Sequence, residues 1–257
     1  FEDLPGLGKT TLASALARLA GLHFQRIQFT NDMLASDVIG INIFNQKEHL
    51  FEFKKGPIFT QILLADEINR CSPKTQSALL EAMEEGAVTV DGTHYELPQP
   101  FWVLATQNPL FQSGTYALPE SQLDRFLMRL SLGYPSRQAE KLLLQQSSRQ
   151  VLIHQLEAVF TQVDILQLRE LAKQVFLSDA VLNYILDLAA ETRKQRHGLS
   201  TRGVLALKAA AQAYALVEGR SFVTTDDVQT VFVAVVAHRL SLGEIEVKQI
   251  LQSVDVL

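Results

Sequence analysis

Apolar and polar positions along the chain change texture once, near residue 135. Before that point, short apolar runs alternate with helical patterns. Leu12, Ala15, Leu16 and Leu19 recur at helical spacing behind a turn-rich opening, and Gly21 is a natural stop. His23 to Phe29 reads as a short strand. Ile39 to Ile43 and Phe51 to Phe53 alternate with polar residues around Asn45-Gln46-Lys47-Glu48, which predicts a small hairpin. Ile62-Leu63-Leu64-Ala65 is a continuous apolar run, as in a strand covered on both faces, and it ends on Asp66-Glu67. Ser72-Pro73 opens a helix that runs to about Glu85 and stops at Gly86. Asp91-Gly92, between Val88-Thr89-Val90 and His94 to Leu97, suits the positive φ angles of a type I′ hairpin turn. Trp102 to Ala105 is a second buried strand, ending at Thr106-Gln107-Asn108. Buried strands that alternate with helices predict a parallel α/β sheet.

After Tyr134-Pro135 the pattern predicts four or five helices and no strand. Ser200 is placed to cap a helix carrying Leu205, Leu207, Ala211, Tyr214 and Leu216, which stops at Gly219. Thr224-Thr225-Asp226-Asp227 resembles a capping box, with Asp in place of Glu, ahead of Val231 to Val236. The expected division is therefore an α/β part over 1–135 and an all-helical part over 136–257. The first residues, Phe1-Glu2-Asp3, read as the end of a strand already under way. The chain is expected to be a fragment lacking its first strand, and to be unstable when expressed alone.

Composition narrows the class. The 257 residues are 47% hydrophobic and 20% charged, which excludes a disordered, collagen-like or disulfide-scaffold protein. The net charge of −5 leaves no basic excess to serve as a nucleic-acid footprint. Cys71 is the one cysteine, which excludes an internal disulfide, fits a reducing compartment and leaves no zinc spacing with the histidines. The apolar run from Val231 to Ala237 is far too short for a membrane span. A soluble protein of the cytoplasm is the expectation.

Five groups of residues carry candidate chemistry. Pro5-Gly6-Leu7-Gly8-Lys9-Thr10-Thr11 leads into a helix, where turned-in N–H groups and the helix dipole favour an anion. Lys9 would reach the β- and γ-phosphates of a nucleotide, and Thr10 would hold Mg²⁺. The strict phosphate-loop pattern asks for Gly where this chain has Asp3, and a plain Gly-rich turn is the alternative. Asp66-Glu67 ends a buried strand at the carboxyl edge of a parallel sheet, where ligands bind. Asp66 could complete the Mg²⁺ shell, and Glu67 could polarise a water for attack on the γ-phosphate; a solvated strand end is the alternative. Asn108 could orient that water or simply start an Asn-Pro turn. Arg125, in Leu123-Asp124-Arg125-Phe126, could stabilise charge on a transferring phosphate or pair with Asp124 or Glu120. Arg202, in Ser200-Thr201-Arg202, could report a γ-phosphate or be an exposed first-turn residue.

Taken together, these residues resemble the MoxR family of AAA+ ATPases. Glu2 to Thr10 is similar to that family's phosphate loop, whose first glycine is often replaced. Leu64-Ala65-Asp66-Glu67-Ile68-Asn69-Arg70 is similar to its Walker B block, and Leu104 to Pro109 to its sensor 1. Leu118-Pro119-Glu120 with Gln122 to Phe126 is similar to its arginine-finger segment. Thr201 departs from the family's usual Pro before the sensor 2 arginine. The resemblance implies an ATP- and Mg²⁺-dependent motor with chaperone-like action: remodelling, assembly, or metal or cofactor insertion. It implies a homo-hexameric ring in which Arg125 acts in trans and Arg202 is sensor 2. It implies that the two hairpins, near 41–53 and 88–97, move with nucleotide state and touch the client or partner; a passive sheet edge is the alternative. A von Willebrand A-domain partner or a metalloenzyme client fits the same picture. A nucleic-acid-stimulated motor is the alternative that the acidic balance disfavours; a nucleotide-switched scaffold is the one that Glu67 disfavours.

Overall fold

The computed structural model describes residues 1–107, 115–145, 153, 155–195 and 197–256. Helix α1 (Lys9–Leu19) follows the glycine loop and ends at Ala20, with Gly21 at φ 63°. Strand β1 (Phe24–Gln28) comes next. Helix α2 (Ala35–Ile39) is too short to show a period in the sequence; Asp37 Oδ2 caps it by accepting the Leu34 N–H at 2.8 Å. Strands β2 (Gly40–Asn45) and β3 (Leu50–Lys55) form the first hairpin, with Gly40 opposite Lys55. Strand β4 (Ile62–Asp66) leads through a 3₁₀ turn at Ile68–Arg70 to α3 (Pro73–Glu85). Ser72 Oγ caps α3 by accepting from Thr75 N–H, and Gly86 ends it at φ 65°. Strands β5 (Ala87–Val90) and β6 (Thr93–Glu96) are joined by Asp91 and Gly92 at φ 50° and 79°, the positive pair that the turn requires.

Strand β4 has no polar residue before Asp66 because both of its faces are covered: Ile62, Leu63, Leu64 and Ala65 are fully buried. It is the middle strand of the sheet β1-β4-β7, where β7 is Trp102–Ala105, and both pairings are parallel. Ala17, Ala20 and Leu22 pack on Ile62, with Trp102 and Leu104 half-buried against the cluster. Glu2 bridges Gln107 in the parallel sense beyond β7. The register sets Gln28 beside Asp66 and Ala65 beside Ala105, so the polar ends of the strands gather at one edge. The buried Cys71 Sγ donates to Ile68 O at 3.3 Å, and burial pushes its thiol up to about 11.

The two hairpins touch. Phe53 stacks on Tyr95 with ring centroids 4.0 Å apart, and Asn42 Nδ2 donates to Asp91 Oδ2 at 2.7 Å. Ile41, Ile43, Phe44, Leu50 and Phe51 of the first hairpin are exposed.

The chain divides into two compact units. The first is Phe1–Leu118 with Ser131–Ile165; the second is Pro119–Leu130 with Leu166–Leu257. This differs from a single cut near Pro135, because Pro119–Leu130 packs with the later helices. That segment holds the short helix α4 (Glu120–Leu123). Six helices, not four or five, lie beyond Pro135 among the described residues: α5 (Arg137–Gln145), α6 (Gln162–Gln174), α7 (Asp179–Thr192), α8 (Thr201–Val217), α9 (Thr225–Leu240) and α10 (Glu244–Gln252). The stop between α9 and α10 is a non-glycine residue, Ser241 at φ 53°, which no sequence signal marks.

Helix α9 is the axis of the second unit. From Val235 to Leu240 every residue is buried, the polar His238 and Arg239 included, as in a helix end enclosed by its neighbours. Phe232, Val235 and Val236 meet Leu188 of α7, Leu207 and Ala211 of α8 and Val247 of α10. Thr224 and Asp227 form the expected capping box, and Arg220 clamps the buried Asp227 at 2.5 and 2.6 Å. No helix among the described residues is long and apolar enough to cross a membrane.

Candidate functional site

The glycine loop and the polar strand ends face one cleft of about 370 Å³. Its lining includes Pro5, Gly6, Gly8, Lys9, Thr10 and Thr11 from the loop and the start of α1. Leu7 is half-buried in the loop and does not line the cleft. Gly6 and Gly8 sit at φ 86° and 92°, a region that costs other residues strain. A Cβ on either would meet nothing within 4 Å, so the loop keeps an open face. Gly8 is the N-cap of α1 and offers no side-chain acceptor, which leaves the first-turn N–H groups without an intrahelical partner. Lys9 Nζ crosses the loop to donate to Asp3 O at 2.7 Å and Leu4 O at 3.2 Å.

Asp3 stands where the strict motif has glycine, and its contacts explain the exchange. It is 8% exposed, and its carboxylate accepts from Ser131 Oγ at 2.6 Å, Leu132 N–H at 2.5 Å and Gly133 N–H at 3.4 Å. Burial disfavours the charge, but these donors and the Lys9 ammonium outweigh it and hold the carboxyl below its ordinary range. The residue anchors the root of the loop to 131–133.

Across the cleft, Asp66 ends β4. Its Oδ2 accepts from Arg26 Nη2 at 2.6 Å and Nε at 3.1 Å, and its Oδ1 accepts from Thr106 Oγ at 2.6 Å. Glu67 follows in the left-handed region, at φ 56° and ψ 47°, which costs a non-glycine residue about 1 kcal/mol. Thr106 holds it there: Oγ accepts the Glu67 N–H at 2.9 Å, and the Thr106 carbonyl accepts the Ile68 N–H at 3.1 Å. Glu67 Oε2 accepts from Gln28 Nε2 at 2.7 Å and lies 3.0 Å from Arg70 Nε. The twist turns the Glu67 side chain to the carboxyl edge of the sheet, beside Gln28.

Thr106, Arg26 and Gln28 thus belong to the site, although no motif marked them. The signal was positional: in a parallel sheet, polar residues just at or past the strand ends converge. Asn108 lies outside the described residues. Arg125 and Arg202 belong to the second unit. Arg125 is half-buried at the turn after α4, and Arg202 is exposed in the first turn of α8. Of the two acidic residues considered beside Arg125, Asp124 bonds Arg239 and Ser200, and Glu120 lies 3.2 Å from His197 Nδ1.

A parallel sheet with a glycine loop and an acidic pair at its carboxyl edge, followed by a helical unit, is the build of an AAA+ ATPase module. The comparisons agree. Residues 1–128 match the family model described as "ATPase family associated with various cellular activities (AAA)", and 188–255 match "AAA lid domain". The chain is 49% identical to a Bacillus subtilis protein named YeaC, covering 94% of this chain and 77% of that one. It is 38% identical to "Chaperone MoxR1" of Mycobacterium tuberculosis, covering 99% of this chain and 73% of that protein. A crystal structure described as a candidate ATPase from Cytophaga hutchinsonii superposes with a TM-score of 0.90 at 37% identity, over 100% of this chain and 84% of that one. The chain belongs to the MoxR family of AAA+ ATPases.

Proposed function

We propose that the first unit binds Mg²⁺·ATP in the cleft and that the chain hydrolyses it as one subunit of a homo-hexameric ring. The observation that carries this reading is the acidic pair: Asp66 and Glu67 share a cleft with Gly6, Gly8, Lys9 and Thr10. The open face of Gly6 and Gly8 fits a phosphate chain, since no side chain stands between it and the loop N–H groups. Pro5, Leu7 and Thr11 shape the loop. With nucleotide bound, Lys9 would exchange its carbonyl partners for phosphate oxygens, and Thr10 and Asp66 would be the residues to hold the cation. Bound Mg²⁺ supplies positive charge against the phosphates. Glu67 takes the proton of the attacking water, and Asn108 orients that water. Arg125 completes the neighbouring subunit's site, and Arg202 senses the γ-phosphate in its own subunit.

The turnover drives chaperone-like remodelling or assembly of a client, including metal or cofactor insertion. The relative named a chaperone supports this reading. The exposed apolar first hairpin is the surface we assign to client contact. A von Willebrand A-domain protein or a metalloenzyme is the partner class, in the cytoplasm.

The test is Glu67→Gln. It should bind ATP as the parent does and hydrolyse it at least about 10²-fold more slowly. Hydrolysis at the parent rate would remove Glu67 as the base.

A further inference from the structure

The second unit contains an arrangement that the roles above do not use. The guanidinium of Arg239, on α9, is 3% exposed, and nearly all its donors go to one short stretch of chain. Nε donates to Asp124 Oδ1 at 2.9 Å, Nη2 to Phe126 O at 2.7 Å and Asp124 O at 3.3 Å, and Nη1 to Leu127 O at 3.0 Å. His238 Nε2 lies 3.0 Å from Phe126 O, and the Arg129 N–H donates to Ala234 O at 2.8 Å. The turn bearing Arg125 is therefore stitched to α9 along its length.

The second oxygen of Asp124 serves another element. Ser200 Oγ donates to Asp124 Oδ2 at 2.9 Å and at the same time accepts the Gly203 N–H at 3.0 Å, as the N-cap of α8. Arg202 sits in that first turn of α8. One carboxylate thus spans the turn of Arg125 and the cap of the helix that carries Arg202. We propose that Asp124 is a positioning residue that fixes the two arginines in one geometry, so that the group offered to the neighbouring subunit and the group reading the subunit's own nucleotide are set together. This rests on the assignment of Arg125 and Arg202 given above.

Asp124 itself is a poor place to test this, since its removal strands a buried guanidinium. Ser200 is better. Ser200→Gly loses the bond to Asp124 yet remains an acceptable N-cap, and Ser200→Thr keeps both hydroxyl contacts. In the full chain, steady-state ATPase kinetics are measured for both, alone and in the Arg125→Ala and Arg202→Ala backgrounds, with melting temperature followed alongside. Ser200→Gly should lower kcat about tenfold with its melting temperature held within a few degrees, and Ser200→Thr should restore kcat. In the Arg202→Ala background, Ser200→Gly should add less than about a twofold change, because the group it positions is gone. Ser200→Asp is the second variant: it caps α8 well but sets its carboxylate against Asp124, and it should lose kcat as Ser200→Gly does. If Arg125→Ala and Arg202→Ala are impaired while Ser200→Gly and Ser200→Asp turn over like the parent, the positioning role is wrong and the arginine roles stand. A Ser200→Gly loss of equal size in every background would also overturn it. If both arginine variants match the parent, the arginine roles fall, and the positioning role with them.

Discussion

Thr106 donates its hydroxyl proton to Asp66 Oδ1 at 2.6 Å. Thr106 Oγ in turn accepts the Glu67 N–H at 2.9 Å, so one hydroxyl sets the side chain of one acidic residue and the backbone of the next. Thr106→Val keeps the shape and removes both bonds. It should cost about 1–2 kcal/mol in thermal or urea unfolding and lower ATP turnover about tenfold or more, while Thr106→Ser stays near the parent. An ATPase rate for Thr106→Val equal to that of Thr106→Ser would show that the hydroxyl is dispensable.

Asp3 yields a prediction that runs against the motif. Asp3→Gly restores the strict phosphate-loop pattern, yet it should destabilise the chain by about 2 kcal/mol, because three donors lose their acceptor. The carboxyl is depressed in the folded chain, so its contribution is complete above the ordinary carboxyl range, near pH 4, and fades as pH falls through the folded value. Melting temperatures of the parent and Asp3→Asn should therefore differ at neutral pH and converge in acid.

His238 carries the opposite chemistry to a similar end. Burial first, then the neighbouring Arg239 charge, depresses its pKa from 6.5 to about 4. The unfolded chain takes up this proton at a higher pH than the folded one. The stability tied to neutral His238 is thus complete above about pH 6.5 and is lost as pH falls toward 4, with a slope approaching 1.4 kcal/mol per unit. A pH series of melts should show this slope in the parent and a shallower one in His238→Gln. Equal slopes would place the acid sensitivity elsewhere.

Asp227 is 2% exposed, and the hydrogen-bonded Arg220 guanidinium is the largest reason its carboxyl lies below the usual range. Asp227→Ala also removes the acceptor for the Thr224 N–H and hydroxyl at the start of α9. The expected cost is about 3 kcal/mol, against about 1 kcal/mol for Thr224→Val, which loses the cap alone. Denaturant titration of the two variants compares them directly.

Local patterns announced most of these elements because each obeys one local rule. Strand β4 is apolar throughout since both faces are covered, and the second hairpin is dictated by Asp91-Gly92. Lys9, Thr10, Asp66 and Glu67 stand out as candidates in the sequence because their residue types and their places at a helix start and a strand end coincide, and the fold brings them to one cleft. What escaped is long-range. Asp3 meets 131–133, Arg239 meets Asp124, and Arg26 meets Asp66 only after folding, and no spacing rule links them. The same cause separates the two divisions of the chain. Composition changes near Pro135, but Pro119–Leu130 is claimed by the helices through contacts to α9, which lies about a hundred residues further on.

Cys71 has a practical consequence. Its thiol is fully buried, bonded to Ile68 O and raised by burial to about 11, which keeps it in the unreactive thiol form at neutral pH. Alkylating and maleimide reagents are therefore expected to leave Cys71 unmodified in the folded protein. A single cysteine introduced at a hairpin tip could be labelled selectively without replacing Cys71, and a fluorophore there would test whether the hairpin responds to nucleotide.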